Sequence, residues 1–230
     1  MAPPEAIGDL PDIIANEEGL YEGNLIPYLR AIFFKASNLG NPYHNFRHTM
    51  HVTWLSHKAC RYYRNELSPR RMRHLLIATM FHDFNHPGHP HPGEEDPDRI
   101  NIRVAVKGLR RHIVAEDRAS LRDIETLIEA THFPYRQTDT NLDLAEQIIR
   151  DADLAQALSP VWIQQVVIGL ALEGGIPPLD ILKLQPRFLG GLHFNTDWAR
   201  EMFPQELIDG KIAEARKLQQ LLEDAPPAAG

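Results

Sequence analysis

Apolar residues recur along this chain at the three-to-four spacing of helices, and no stretch of consequence alternates apolar and polar residues as a strand does. Proline and glycine divide the pattern into segments. Leu25–Ser37 is amphipathic, and Asn38-Leu39-Gly40-Asn41-Pro42 reads as a breaker and turn. Tyr43–Leu67 reads as one long helix with Trp54, Leu55 and Cys60 among its apolar positions. Ser68-Pro69 supplies a cap and a first-turn proline for a helix running through Leu75 to His82. His86–Pro97 reads as a loop; Asp98–Val114 and Ser120–His132 resume helical spacing, and Phe133–Thr140 is a polar connection. Asn141 is expected to cap the next helix, Ser159-Pro160 to start another, and Asp197–Glu223 to close the fold after breaks at Gly174-Gly175 and Pro177-Pro178. The expectation is one compact all-α domain over residues 1–230, with 1–23 an N-terminal extension and 225–230 a frayed tail.

A net charge of −7 argues against a general nucleic-acid binder, since phosphate backbones select basic surfaces. Arg61, Arg64, Arg70, Arg71 and Arg73 run against that average; a solvated helix face is the expected reading, a phosphate-facing patch the alternative. Cys60 is the only cysteine, so no internal disulfide forms, and a small core residue is expected there. The N-terminus lacks the basic region and apolar run of a signal peptide, and core-like runs such as Leu75–Phe81 are too short to span a bilayer. A cytoplasmic protein acting on a small molecule, with no membrane partner, is expected.

Three histidines and two carboxylates then stand out: His44 and His48, the pair His82-Asp83, and Asp153. On one helix His44 and His48 would share a face, and a helix leaving the core after Phe81 would deliver His82 and Asp83 to one cavity. Imidazole and carboxylate together suit zinc, iron, manganese or magnesium, and the lack of thiolates in the set argues against a structural zinc knot. His48, His82, Asp83 and Asp153 would hold a first cation (zinc, iron or manganese) and leave positions for water. Asp83 has two oxygens and can bridge to a second, harder ion, magnesium or manganese. Water shared by two dications loses a proton near neutral pH and becomes a hydroxide nucleophile.

The motifs Tyr43-His44-Asn45-Phe46-Arg47-His48, Phe81-His82-Asp83-Phe84-Asn85-His86-Pro87-Gly88 and Ala152-Asp153-Leu154 resemble the HD superfamily of metal-dependent phosphohydrolases. Within it they look like the catalytic domain of class I cyclic nucleotide phosphodiesterases, over roughly Asn41 to Pro204. That resemblance implies hydrolysis of 3′,5′-cyclic nucleotides to 5′-monophosphates. It makes His44 the general acid for the leaving 3′ oxygen, a role an imidazole can fill near neutral pH. His86 would join the catalytic group behind the ligands or at the phosphate, and Tyr43 and His132 would lie at the substrate. Gln185-Pro186-Arg187-Phe188-Leu189 is similar to the family's base-recognition segment, so Gln185 would bond a purine edge and Phe188 would stack on it.

The chain departs from the family at Thr49-Met50-His51-Val52, at Asn85 in place of a carboxylate, and at Thr131-His132 in place of Thr-Asp. A glutamate that orients the acid histidine has no evident counterpart near Ile100-Asn101. Other readings are a nucleotidase or alarmone hydrolase with the same metal chemistry, a diiron oxygenase recruiting His112 and His132, and a non-catalytic metal-binding module.

Overall fold

The computed structural model describes residues 9–88, 96–135 and 141–224, and every regular element among them is helical. Eleven α-helices follow in order: α1 Leu10–Ala15, α2 Ile26–Lys35, α3 Phe46–Tyr62, α4 Pro69–Phe81, α5 Pro97–His112, α6 Leu121–Glu129, α7 Leu144–Leu154, α8 Gly169–Gly174, α9 Pro178–Gly190, α10 Asp197–Met202 and α11 Gln205–Glu223. Two 3₁₀ turns, Ala115–Ser120 and Ala155–Leu158, and a π-helical stretch, Ile163–Ile168, complete the set. Residues 1–8, the expected tail 225–230, and parts of the two expected connections (89–95 and 136–140) lie outside the described residues.

Helix α4 is the axis of the main core. Met72 and Leu75 through Phe81 are buried on every side, as expected of a helix packed against α3, α6 and α7 at once. The polar groups that go under with it are paired. Arg73 meets Asp117 at 2.8 and 2.7 Å, and Tyr28 donates to the same carboxylate at 2.6 Å. Ile13, Ile14 and Tyr21 join this core, so α1 packs on the domain. A second, smaller core gathers Trp162, just before the π stretch, with Val166, Val167, Ala171, Ile181, Leu182 and Ala215 from that stretch, α8, α9 and α11.

Several boundaries differ from the sequence reading, each for a local reason. Helix α3 starts at Phe46, not Tyr43, because Asn45 is extended and its Oδ1 accepts from the amides of Arg47 and His48. It stops at Tyr62, where the Tyr63 carbonyl takes the amides of Glu66 and Leu67 in a turn. Helix α7 is capped by Asp143, not Asn141, through a reciprocal pair with Glu146. Ser159 caps nothing with its side chain; only its carbonyl accepts, from Trp162, as the π stretch begins. The closing segment is two helices, broken at Phe203-Pro204.

Four of the five arginines of the basic group pair with carboxylates of the chain. Arg61 meets Glu18 (3.3 Å), Arg70 meets Glu22 (4.0 Å) and Arg71 meets Asp143 (2.5 Å), while Arg73 is buried on Asp117. No single helix among the described residues is long and apolar enough to cross a membrane. The nearest approach is Leu144–Leu158 with Ile163–Gly174, bent by 100°. That bend carries Asp153 and Glu173 to one cavity.

Candidate metal centre

Three elements bring the four expected ligands together. His48 stands in the first turn of α3, fixed by the Asn45 cap. His82 and Asp83 follow α4 directly, in a turn that Asn85 closes with a left-handed backbone (φ 63°). Asp153 lies in the last turn of α7. His48 Nε2 and His82 Nε2 are 3.2 Å apart; Asp83 Oδ2 lies 3.2 and 3.1 Å from them, and Asp153 Oδ1 3.1 and 3.6 Å.

This arrangement calls for positive charge at its centre. His48 Nδ1 donates to Gln156 Oε1 at 2.5 Å and His82 Nδ1 to the Thr79 carbonyl at 2.7 Å, so in the neutral rings both Nε2 atoms present lone pairs. Two lone pairs and an Asp83 oxygen then lie within ligand reach of one another, with Asp153 Oδ1 beside the two histidines, and Asp83 Oδ2 is buried there with no hydrogen bond of its own. Burial alone would push the His48 pKa down, yet Asp153 and Asp83 push it up to about 9. Asp83 moves the other way: burial would raise it, but His82, His44 and His48 hold it well below the usual carboxylate range. A dication meets the same demand. Bonds of about 2.0–2.2 Å from one ion give ligand–ligand edges of about 3.0–3.5 Å; the separations among His48, His82 and Asp83 fall in that range, and Asp153 Oδ1 lies 3.1 and 3.6 Å from the two histidines. The residues present fit a divalent cation.

His44 sits before α3 rather than on it. Glu173 of α8 holds the whole turn: its Oε1 accepts the amides of Tyr43 (2.9 Å) and His44 (2.8 Å), and its Oε2 accepts His44 Nδ1 at 2.7 Å. Burial would raise the Glu173 pKa, but the His44 bond and the two amides bring it below the usual value. His44 Nε2 has no protein partner among the described residues, and the ring lines the cavity. Asn38 fastens this turn to the ligand turn, donating to the carbonyls of both His44 and Asp83 at 2.9 Å. His86 stacks on His44 with ring centroids 3.8 Å apart, and both its nitrogens are engaged, Nδ1 by the Gly88 amide and Nε2 by Asn101. With both nitrogens engaged, His86 backs His44, the first of the two places expected for it, rather than reaching a phosphate.

A cavity of about 480 Å³ opens beside these groups, where the two apolar cores meet. Tyr43, Gln185 and Phe188, the residues expected at a substrate, are among those that line it. Gln185 is buried, its Nε2 donates to the Ile181 carbonyl at 3.3 Å, and its Oε1 has no partner. His132 is not brought to the site: it is tied to Asp96 at 2.9 Å and is absent from the lining. The pull of that acceptor, together with the helix end at Glu129, turns the ring out of the cavity. His112 packs on the Phe84 ring, away from the four ligands. Sequence reasoning missed Glu173, Gln156 and Tyr135, whose hydroxyl donates to Asp153 Oδ2 at 2.9 Å. None lies in a motif; only the fold pairs each with a partner.

The HD-domain family model matches residues 45–158, which contain all four expected ligand positions. The chain carries an HD domain. It belongs to the HD superfamily of metal-dependent phosphohydrolases, and the matched span ends before Glu173, Gln185 and Phe188. No curated protein matches the chain.

Proposed function

We propose that this HD domain hydrolyses 3′,5′-cyclic nucleotides to 5′-monophosphates, with two divalent cations, zinc, iron or manganese in the first position and magnesium or manganese in the second. The observation that carries the reading is one cavity lined together by His82, Asp83 and Asp153, by the His44–Glu173 pair, and by Gln185, whose buried amide oxygen has no partner. Cations held by His48, His82, Asp83 and Asp153 would supply an activated water and neutralise charge on the phosphoryl group.

The chain's own residues then do three things. His44, protonated on both nitrogens, donates from Nε2 to the departing 3′ oxygen, while Glu173 balances the imidazolium through Nδ1. Gln185 meets the edge of the base and Phe188 gives its ring a flat apolar surface. The apolar lining (Leu154, Val166, Leu170, Ile181) keeps bulk water from the body of the ligand.

Charge separates this from the nucleotidase and alarmone readings. No lysine or arginine is among the described residues lining the cavity, so a substrate with several phosphate charges finds no side-chain counter-ion there, whereas a monoanionic diester needs none. The diiron reading loses its extra ligands, because His112 and His132 are engaged elsewhere. A non-catalytic metal module has no use for an imidazole oriented by a carboxylate and open to a cavity.

The test is a metal-reconstituted screen over cyclic nucleotides, nucleoside monophosphates and triphosphates, and alarmones, with products identified. A 5′-monophosphate from a cyclic nucleotide is expected. Release of phosphate or pyrophosphate from the non-cyclic substrates alone would overturn the proposal.

A further inference from the structure

The carboxylate of Asp153 presents one oxygen to the two histidines, and something outside the ligand set holds it that way. Oδ1 is the atom 3.1 and 3.6 Å from the histidine Nε2 atoms, while Oδ2 accepts the Tyr135 hydroxyl at 2.9 Å. Tyr135 is itself held on two sides. The Arg150 guanidinium carbon lies 4.7 Å from its ring centroid, and the Phe133 ring meets it edge-on at 5.5 Å. Arg150 lies one turn before Asp153 on α7 and donates from Nε to the Ala130 carbonyl at 2.7 Å. The Phe133 amide donates to Asp98 Oδ2 at 2.6 Å, which ties the segment to the start of α5.

We infer that Tyr135 is a positioning residue for the cation site, its hydroxyl locking the Asp153 carboxylate into one-oxygen presentation. A carboxylate on a short stem rotates freely about its last bond, and without a partner on Oδ2 it would sample two-oxygen and turned-away orientations. His48 and His82 have such partners in Gln156 and the Thr79 carbonyl, and Tyr135 supplies one for Asp153. Groups of this kind fix ligand orientation, and losing one costs about 10–100-fold in metal affinity. Tyr135 lies in the stretch that sequence analysis read only as a polar connection. The inference rests on the metal reading of the four ligands and is independent of the substrate proposed above.

The experiment strips full-length wild-type and Tyr135→Phe proteins with chelator, titrates each with Zn²⁺ or Mn²⁺ by calorimetry, and melts the stripped proteins. Phenylalanine keeps the ring against Arg150 and removes only the hydroxyl. First-site affinity is expected to fall about 10–100-fold with the melting temperature of the stripped protein unchanged. On an Asp153→Asn background the same substitution is expected to add nothing. Wild-type affinity in Tyr135→Phe, or a loss that persists in full on the Asp153→Asn background, would overturn the inference. A wild-type protein that takes up no cation would overturn the metal reading and this role with it.

Discussion

Glu173→Gln is the perturbation whose outcome follows most closely from the geometry. Glutamine is nearly isosteric, and its Oε1 can still take the amides of Tyr43 and His44, which anchor the turn at 2.9 and 2.8 Å. What it loses is the negative charge 2.7 Å from His44 Nδ1, on a side chain only 6% exposed. An amide NH₂ facing Nδ1 favours the tautomer with its hydrogen on Nε2 alone, and that neutral ring would have to become imidazolate to give a proton up. A hydrogen bond to a charged group is worth about 1.5–3 kcal/mol. At about 1.4 kcal/mol per factor of ten, kcat should fall roughly 10- to 150-fold. KM and cation content should hold, because Glu173 bonds none of the four ligands. Steady-state kinetics on a cyclic nucleotide with metal analysis of the same samples reads all three. His44→Ala sets the floor at about 10²–10⁴-fold, and Glu173→Gln placed on it should cost nothing more. Unchanged kcat in Glu173→Gln, or full additivity with His44→Ala, would refute the assignment of these two residues as one unit.

Replacing Gln185 with alanine should weaken hydrolysis of a cyclic nucleotide while sparing a small generic phosphodiester; equal loss on both, by kcat/KM, would remove Gln185 from base recognition. Gly108→Ala should destabilise the domain by about 1–3 kcal/mol in urea unfolding. An added Cβ would lie 2.3 Å from Phe84 Cδ1, and that ring is stacked on Phe81 beside Asp83; a neutral result would mean Phe84 moves freely. Burial would raise the Asp117 pKa, but Arg73 and Tyr28 bring it below the ordinary carboxylate value. The unfolded chain therefore binds the proton more readily, so this contribution is complete above about pH 4 and is lost as pH falls through the folded value. Urea midpoints between pH 7 and pH 3 should drop less in Asp117→Asn than in wild type, and an equal drop would contradict the pairing.

The candidate ligands stood out because each sits where helix signals are strongest. His48 follows a capping asparagine, His82-Asp83 ends an apolar run interrupted only at Thr79, and Asp153 closes a helix of clear periodicity. The helical class was legible for the same reason. What the sequence misplaced depends on competition between near neighbours: Asn45 ends the helix before His44 can join it, and Asp143 outbids Asn141 by reciprocating with Glu146. What it missed depends on distance along the chain. Glu173 meets His44 across 129 positions and Gln156 meets His48 across 108, contacts that no local spacing encodes. His132 went astray differently. Its residue type invited chemistry, but Asp96 draws it off, whereas His86 lines the cavity behind His44 with its nitrogens taken by the Gly88 amide and Asn101.

Anomalous diffraction from chelator-stripped protein reloaded with Zn²⁺ or Mn²⁺ reaches the central claim most directly. The strongest peak should lie within about 2.0–2.3 Å of His48 Nε2, His82 Nε2, one Asp83 oxygen and Asp153 Oδ1 together. A peak elsewhere, or one at the histidines with Asp153 turned away, would contradict it.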